Sequence, residues 1–119
     1  MANTFKLKTK TNVGVTTVGI YTAPSSTTTV VIGITCANTS GNGITVGIGI
    51  TRASSDDIHL MKNVPIPQGS SLEVMGGNKV VLETTDTITA KSDTAGSLDV
   101  ALTIMEITYV RVNNESLVT

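Results

Sequence analysis

Side chains able to do chemistry are few in this 119-residue chain, and they are scattered. His59 is the one histidine and Cys36 the one cysteine. Catalysis needs convergent groups whose proton affinities are tuned against each other. His59 alternates with Ile58 and Leu60, so extended backbone turns it to the wet side, away from any partner acid. Cys36 ends the alternation Val30, Ile32, Ile34, Cys36 and reads as a small buried hydrophobe, not a nucleophile. One Cys and one His cannot close a zinc site. Asp56-Asp57 lacks the spaced carboxylates of a hand-type calcium loop and reads as a solvated acidic turn. Glu83, Asp86, Asp93, Asp99 and Glu106 are dispersed through strands and turns, with no glycosidase-like pairing. Gly76-Gly77-Asn78-Lys79 resembles a phosphate loop only in its glycines, because it leads into a β-type run where the anion site needs a helix. The expectation is a protein that is not an enzyme and uses no cofactor or metal.

Lys6, Lys8 and Lys10 form the one basic stripe, at strand spacing. Such a stripe is either a solvated strand face or a contact for an acidic protein surface. Nucleic acid fits poorly, since a net charge of −1 gives no steering field. An aromatic content of 3% with no Trp also leaves few platforms for stacking bases or sugars. The opening MANTFKLKTK has basic residues at alternate positions with no apolar block behind them, which argues against a secretory signal. No apolar run approaches the ~18 residues that a membrane-spanning helix needs.

The elements that must position these residues are strands. Helical periodicity is nearly absent and period-two alternation recurs. In Phe5-Lys6-Leu7-Lys8 apolar and basic residues point to opposite sides, which predicts a strand with one wet, lysine-bearing face. Val13 to Tyr21 reads as a second extended segment, ended by a turn at Pro24. Thr29 to Arg52 reads as a hairpin: Val30, Ile32, Ile34 and Cys36 share one face, Ile44, Val46, Ile48 and Ile50 share another, and Asn42-Gly43 supplies the turn signal. Those eight positions are the predicted core. Thr45, Gly47, Gly49 and Thr51 fall on the opposite face, where missing side chains would admit another backbone or chain. Prolines 65 and 67 exclude a central strand there. Short strands are expected at Leu72 to Met75, Val80 to Glu83 and Thr87 to Ala90, followed by a long one from Leu98 to Ile104. Glu106 extends its apolar face, which predicts a bulge or an exit from the core.

About eight short strands with regular turns argue for one all-β domain, an antiparallel β-sandwich of jelly-roll or Greek-key type. The expected layout is an N-terminal arm or edge strand over residues 1–11, the sandwich over 12–109 and a C-terminal tail over 110–119. Charged residues make up only 14% of the chain, well under the roughly 25% of ordinary soluble domains. So neutral a surface, together with open strand edges, points to a homo-oligomer or a packed assembly. The mostly polar tail should be held by other chains.

Three stretches, "YTAPSSTTTVVIGITCANTSGNGITVGIGITR", "LMKNVPIPQGSSLEVMGGNKVVLETTDTI" and "SLDVALTIMEIT", resemble small virion structural proteins of tailed bacteriophages, especially those of cyanobacteria. The resemblance implies a β-sandwich assembling on a capsid or tail, often as a homotrimer, in a virion built in a bacterial cytoplasm. It implies a decoration or cement protein bound to the major capsid protein, or else a neck, tail or fibre component. A receptor- or glycan-binding module ranks behind both. The expected assembly residues are Phe5, Lys6, Lys8 and Lys10 near the N-terminus, Thr45, Gly47 and Gly49 on the Thr/Gly face, and Arg111, Val112 and Leu117 in the tail. Neither a membrane nor a nucleic acid is an expected partner.

Overall fold

A computed structural model describes residues 2–52, 57–75, 77–108, 110–111 and 117–118. Nine strands build the body: β1 (Ala2–Val13), β2 (Val18–Thr22), β3 (Thr27–Asn38), β4 (Ile44–Thr51), β5 (Ile58–Ile66), β6 (Ser71–Glu73), β7 (Val80–Leu82), β8 (Thr87–Ser92) and β9 (Leu98–Thr108). A separate ribbon pairs β10 (Val110–Arg111) with β11 (Leu117–Val118). The first sheet runs β1-β9-β3-β6, with β7 also on β3, and the second runs β2-β8-β4-β5. All of these pairings are antiparallel. Within the nine-stranded body only the steps from β4 to β5 and from β6 to β7 stay within one sheet; every other connection there crosses the sandwich. With β6 and β7 taken as two halves of one edge strand, this is the strand order of a jelly roll.

The stretch read as a hairpin is an arch. β3 lies in the first sheet and β4 in the second, so they face each other across the core instead of pairing. Asn38 fixes that geometry. Its amide nitrogen donates to the carbonyls of Asn42 (2.8 Å) and Ile66 (2.9 Å), and its oxygen accepts from the Ser40 amide (2.9 Å) and hydroxyl (2.8 Å). The side chain thus ties the end of β3 to the end of β5 in the other sheet, and Asn38 is buried. Neither Asn42 nor Gly43 takes the positive φ that a two-residue hairpin would require.

Facing strands fill the core with β-branched and leucine side chains, among them Val31, Ile34, Ile48, Ile66, Leu82, Ile88, Leu98, Leu102 and Ile104. On β4 the four expected positions Ile44, Val46, Ile48 and Ile50 are buried. On β3 the alternation changes phase. The register against β9 shifts between Val31 and Gly33, so Ile34 and Cys36 point inward on one side of the bulge and Thr27, Thr29 and Val31 on the other. Val30 and Ile32, expected inside, are therefore half-buried on the outer face. The Glu73 carboxylate closes the gap that the bulge leaves between β6 and β7. Oε1 accepts from the Ile34 (3.0 Å) and Met75 (3.3 Å) amides, and Oε2 accepts from the Thr35 hydroxyl (3.1 Å).

Gly49 meets the chain's own backbone. A Cβ built there would sit 2.7 Å from the carbonyl oxygen of Ile58 on β5, whose register against β4 is irregular at this point. Gly49→Ala should therefore lower stability by about 1–3 kcal/mol, the usual cost of overpacking. Gly41→Ala, with nothing within 4 Å of the added carbon, should be close to neutral. Urea titration of the two variants checks this, with the midpoint falling for Gly49→Ala and the slope unchanged.

Candidate assembly surfaces

β1 is an edge strand laid along β9, with Lys6 opposite Ile104, Lys8 opposite Leu102 and Lys10 opposite Val100. Directly opposed residues point to the same side of a sheet. Ile104, Leu102 and Val100 are core residues, so the lysine stripe lies on the inner side of the sheet at its rim, where Lys6 and Lys10 remain exposed to water and Lys8 is half-buried. The apolar residues of β1 take the outer face instead: Phe5 is 69% exposed and Leu7 65%.

A buried polar cluster accounts for this reversal. Glu106 is only 6% exposed, and its Oε1 accepts from the Lys6 ammonium at 2.8 Å. Its Oε2 accepts the Tyr21 hydroxyl proton at 2.6 Å. That proton being committed, the Thr29 hydroxyl donates to the Tyr21 oxygen at 2.7 Å. The Lys8 ammonium stands 6.0 Å from the centre of the Tyr21 ring, within cation–π reach. Hydrogen bonds from Lys6 and then Tyr21 hold the Glu106 carboxyl below its ordinary range, outweighing desolvation. Burial, followed by the bond to Glu106, pushes the Tyr21 phenol up to about 12. The expected bulge or exit at Glu106 does not occur, because β9 keeps its pairing with β1 and β3 through that residue. The nearest irregularity belongs to β3.

The outer face of the first sheet carries an apolar row, with the acids Glu73, beside Thr35 and Gly33, and Asp99, opposite Ala37, away from that row. Phe5, Met105, Val30 and Val81 are aligned across β1, β9, β3 and β7 in one apolar row. Asn3, Ile107 and Thr28 form the row on one side, and Leu7, Thr103 and Gly33 the row on the other. Val81 is 58% exposed.

The outer surface of the second sheet carries Thr45, Gly47 and Gly49, which line a cleft of about 550 Å³. Its walls include Val15, His59, Lys62, Lys91 and Asp93. Hydrogen bonds from the Thr45 backbone and then the Thr94 hydroxyl hold the Asp93 carboxyl below its usual range. Among the described residues no cluster of three or more His, Cys, Asp or Glu could hold a metal ion. Cys36 is fully buried, and desolvation, then the nearby Glu73 charge, pushes its thiol up to about 12. His59 is exposed.

Of the tail residues expected at an interface, Arg111 lies on β10 opposite Leu117 on β11, and Val112 lies outside the described residues. The structure brings Lys6 and Lys8 together at the Glu106 cluster, leaves Phe5 on the opposite face of the same strand, and sets Thr45, Gly47 and Gly49 on the other sheet. Tyr21, Thr29 and Glu106 were not anticipated as a group. The only trace in the sequence was an acid continuing the apolar face of the last long strand.

The fold and its surfaces define a class, the jelly-roll β-sandwich proteins. No family model and no curated protein matches the sequence. Solved structures do match in fold. A Bacillus endospore appendage, one of a family of disulfide-linked pili, is 16% identical over 90% of this chain and 87% of its own, with a TM-score of 0.55. A capsid structure of Helicobacter pylori bacteriophage KHP30 is 10% identical over 92% and 95%, with a TM-score of 0.50. The T13 particle of the virus IBDV gives 13% identity over 97% of this chain and a TM-score of 0.51, and this chain spans 37% of that one.

The cluster should leave its mark on both limbs of the stability–pH curve. Glu106 has a lowered carboxyl pKa in the folded state, so its contribution is complete above the unfolded value and lost as pH falls through the folded one. Tyr21 is the converse: its contribution holds below the ordinary phenol value of 10.0 and is lost as pH rises toward about 12. Denaturant titration across pH should show Glu106→Gln flattening the acid limb and Tyr21→Phe flattening the alkaline one. Near neutral pH, Tyr21→Phe should also lose about 1–3 kcal/mol, because the Thr29 hydroxyl and one Glu106 oxygen lose their partner.

Proposed function

We propose that this protein is a non-enzymatic structural component of a bacteriophage virion, a decoration protein that binds the assembled capsid and ties neighbouring capsid subunits together. The observation that carries the reading is the apolar row Phe5, Met105, Val30 and Val81 on the outer face of the first sheet, with Phe5 and Leu7 held in water by an ion pair on the opposite side. A protein acting alone gains nothing from such a face, whereas one that works by adhesion needs it. The shared fold with a phage capsid structure and the resemblance of the sequence to phage virion proteins support the same reading. The proposed partner is the major capsid protein, the location is the virion, and the assembling form is the homotrimer that the resemblance implies. The work is thermodynamic: a ligand that binds only the closed shell stabilises it by mass action, about 2.7 kcal/mol per site at a hundredfold excess over the dissociation constant. Many modest contacts then act together.

A tail, neck or fibre component is the second reading, favoured by the shared fold with a pilus subunit, itself a filament. Addition of purified protein to capsids lacking it separates the two. A decoration protein should raise the temperature of genome release saturably with concentration and be present in hundreds of copies per particle. A few copies per particle and no change in release temperature would reject the shell and favour the tail.

A further inference from the structure

We infer that Asn42 is a site of spontaneous modification: its side-chain amide is lost to attack by the following glycine, and the product loosens the arch between the two sheets. The inference stands on the arch alone and does not depend on a place in a virion.

The reacting groups are adjacent and unhindered. Asn42 is the one asparagine of the chain that precedes a glycine. Asparagine is among the thermolabile residues, and a glycine that follows it has no side chain to shield its amide. The pair reads as a hairpin turn but does not serve as one, since β3 and β4 lie in different sheets. The Asn42 carboxamide is exposed and makes no hydrogen bond among the described residues. The Gly43 N–H, just ahead of β4, has no acceptor among them. Asn38 is the contrast: it is buried, it bonds through both its nitrogen and its oxygen, and it precedes a threonine. Asn12 and Asn63 each precede a valine, whose branched side chain crowds the amide.

The Gly43 nitrogen gives its proton to solvent base and attacks the side-chain carbonyl carbon of Asn42. The new C–N bond closes a cyclic imide, the bond to the amide nitrogen breaks, and that nitrogen leaves as ammonia with a proton taken back from solvent. Water then opens the imide at either carbonyl. One opening gives an ordinary aspartyl residue; the other gives an isoaspartyl linkage, in which the main chain runs through the former side-chain carbon. The sum is water consumed and ammonia released, with nothing oxidised or reduced.

The isoaspartyl opening is the one that the fold feels. The main-chain carbonyl of Asn42 accepts from the Asn38 amide nitrogen and the Ser40 hydroxyl, each at 2.8 Å. Ile44 is buried and lies opposite Ile66. Only Gly43 separates these two fixed points. The isoaspartyl route adds a carbon to the chain there, about 1.5 Å, and turns the accepting carbonyl into a free carboxylate. Either the anchor on Asn38 or the seat of Ile44 must give way, and a buried amide left short of an acceptor weakens the fold.

The test is to age the purified full chain near physiological temperature, at neutral and at mildly alkaline pH. Fragmentation mass spectrometry and isoaspartyl methyltransferase labelling locate the product. Asn42 should lose its amide before the other asparagines do, faster at the higher pH, and the urea midpoint of the aged chain should fall. Gly43→Ala should slow the loss about tenfold or more, a barrier higher by about 1.4 kcal/mol. That variant should fold as the wild type does, because the nearest atom to its added carbon is the Ile66 carbonyl oxygen at 3.9 Å. Freshly prepared Asn42→Asp, which gains the charge without the extra carbon, should keep the wild-type midpoint. An Asn42 amide that persists in the folded chain while it is lost in urea overturns the inference, as does another asparagine reacting first. An isoaspartyl product with an unchanged midpoint overturns it too, as does a fresh Asn42→Asp midpoint as low as that of the aged chain.

Discussion

One carboxylate sets the character of this molecule. Glu106 sits on the inner face of β9, where a hydrophobic residue would continue the core, and it satisfies both oxygens with groups from other strands. An ionised group that is nearly buried is stable only when paired and hydrogen-bonded. Lys6 supplies the charge and Tyr21 the proton, which draws the edge strand and the second sheet toward the same point. Lys6 and Lys8 reach to the inner side of the edge as a result, the Lys6 ammonium on Glu106 and the Lys8 ammonium over the Tyr21 ring. The exposure of Phe5 and Leu7 is the other half of the same choice.

The jelly-roll path explains why such an edge can exist. The first sheet holds five strands and the second four, and β1 forms an end of the wider one. A strand at that position has few cross-sheet neighbours to cover its inner face, and long polar side chains can cover it where small apolar ones would leave a gap. The opposite edge is managed differently: it is split into β6 and β7, and the Glu73 carboxylate stands in for the strand between them by accepting backbone N–H groups. Short, interrupted edge strands discourage uncontrolled pairing. The long edge at β1 keeps its register from Ala2 to Lys10 and shifts only between Lys10 and Val13, which leaves the edge beside Phe5 and Leu7 open to company.

How much of this was legible in the sequence depended on whether local pattern or distant pairing decided the matter. The all-β class, the strands of the second half and the buried face of β4 follow from alternation alone. Alternation is indifferent to which sheet a strand joins, so the arch at Asn38 read as a hairpin; the bonds that make it an arch reach Ile66, far along the chain. It also cannot register an inserted residue, and so Val30 and Ile32 were counted in phase with Ile34 although the bulge separates them. For β1 the pattern was right and the sides were exchanged, because Phe5 and Leu7 would win the interior on hydrophobicity and lose it to Glu106, a hundred positions away in effect. The assembly residues were legible only as types: a basic stripe and a glycine-rich face. Their arrangement on two different sheets came from the topology.

The seclusion of Cys36 has a consequence for the ageing of the molecule. A thiol sealed beneath both sheets, and kept protonated by its surroundings, is closed to oxidants and to thiol reagents while the sandwich is shut. Its reactivity is therefore a clock of opening: the sulfur becomes available only in molecules whose two layers have parted. Oxidation of this sulfur spares the folded chain and reaches the opened one, so its survival is decided by how tightly the layers stay together and not by any covalent staple.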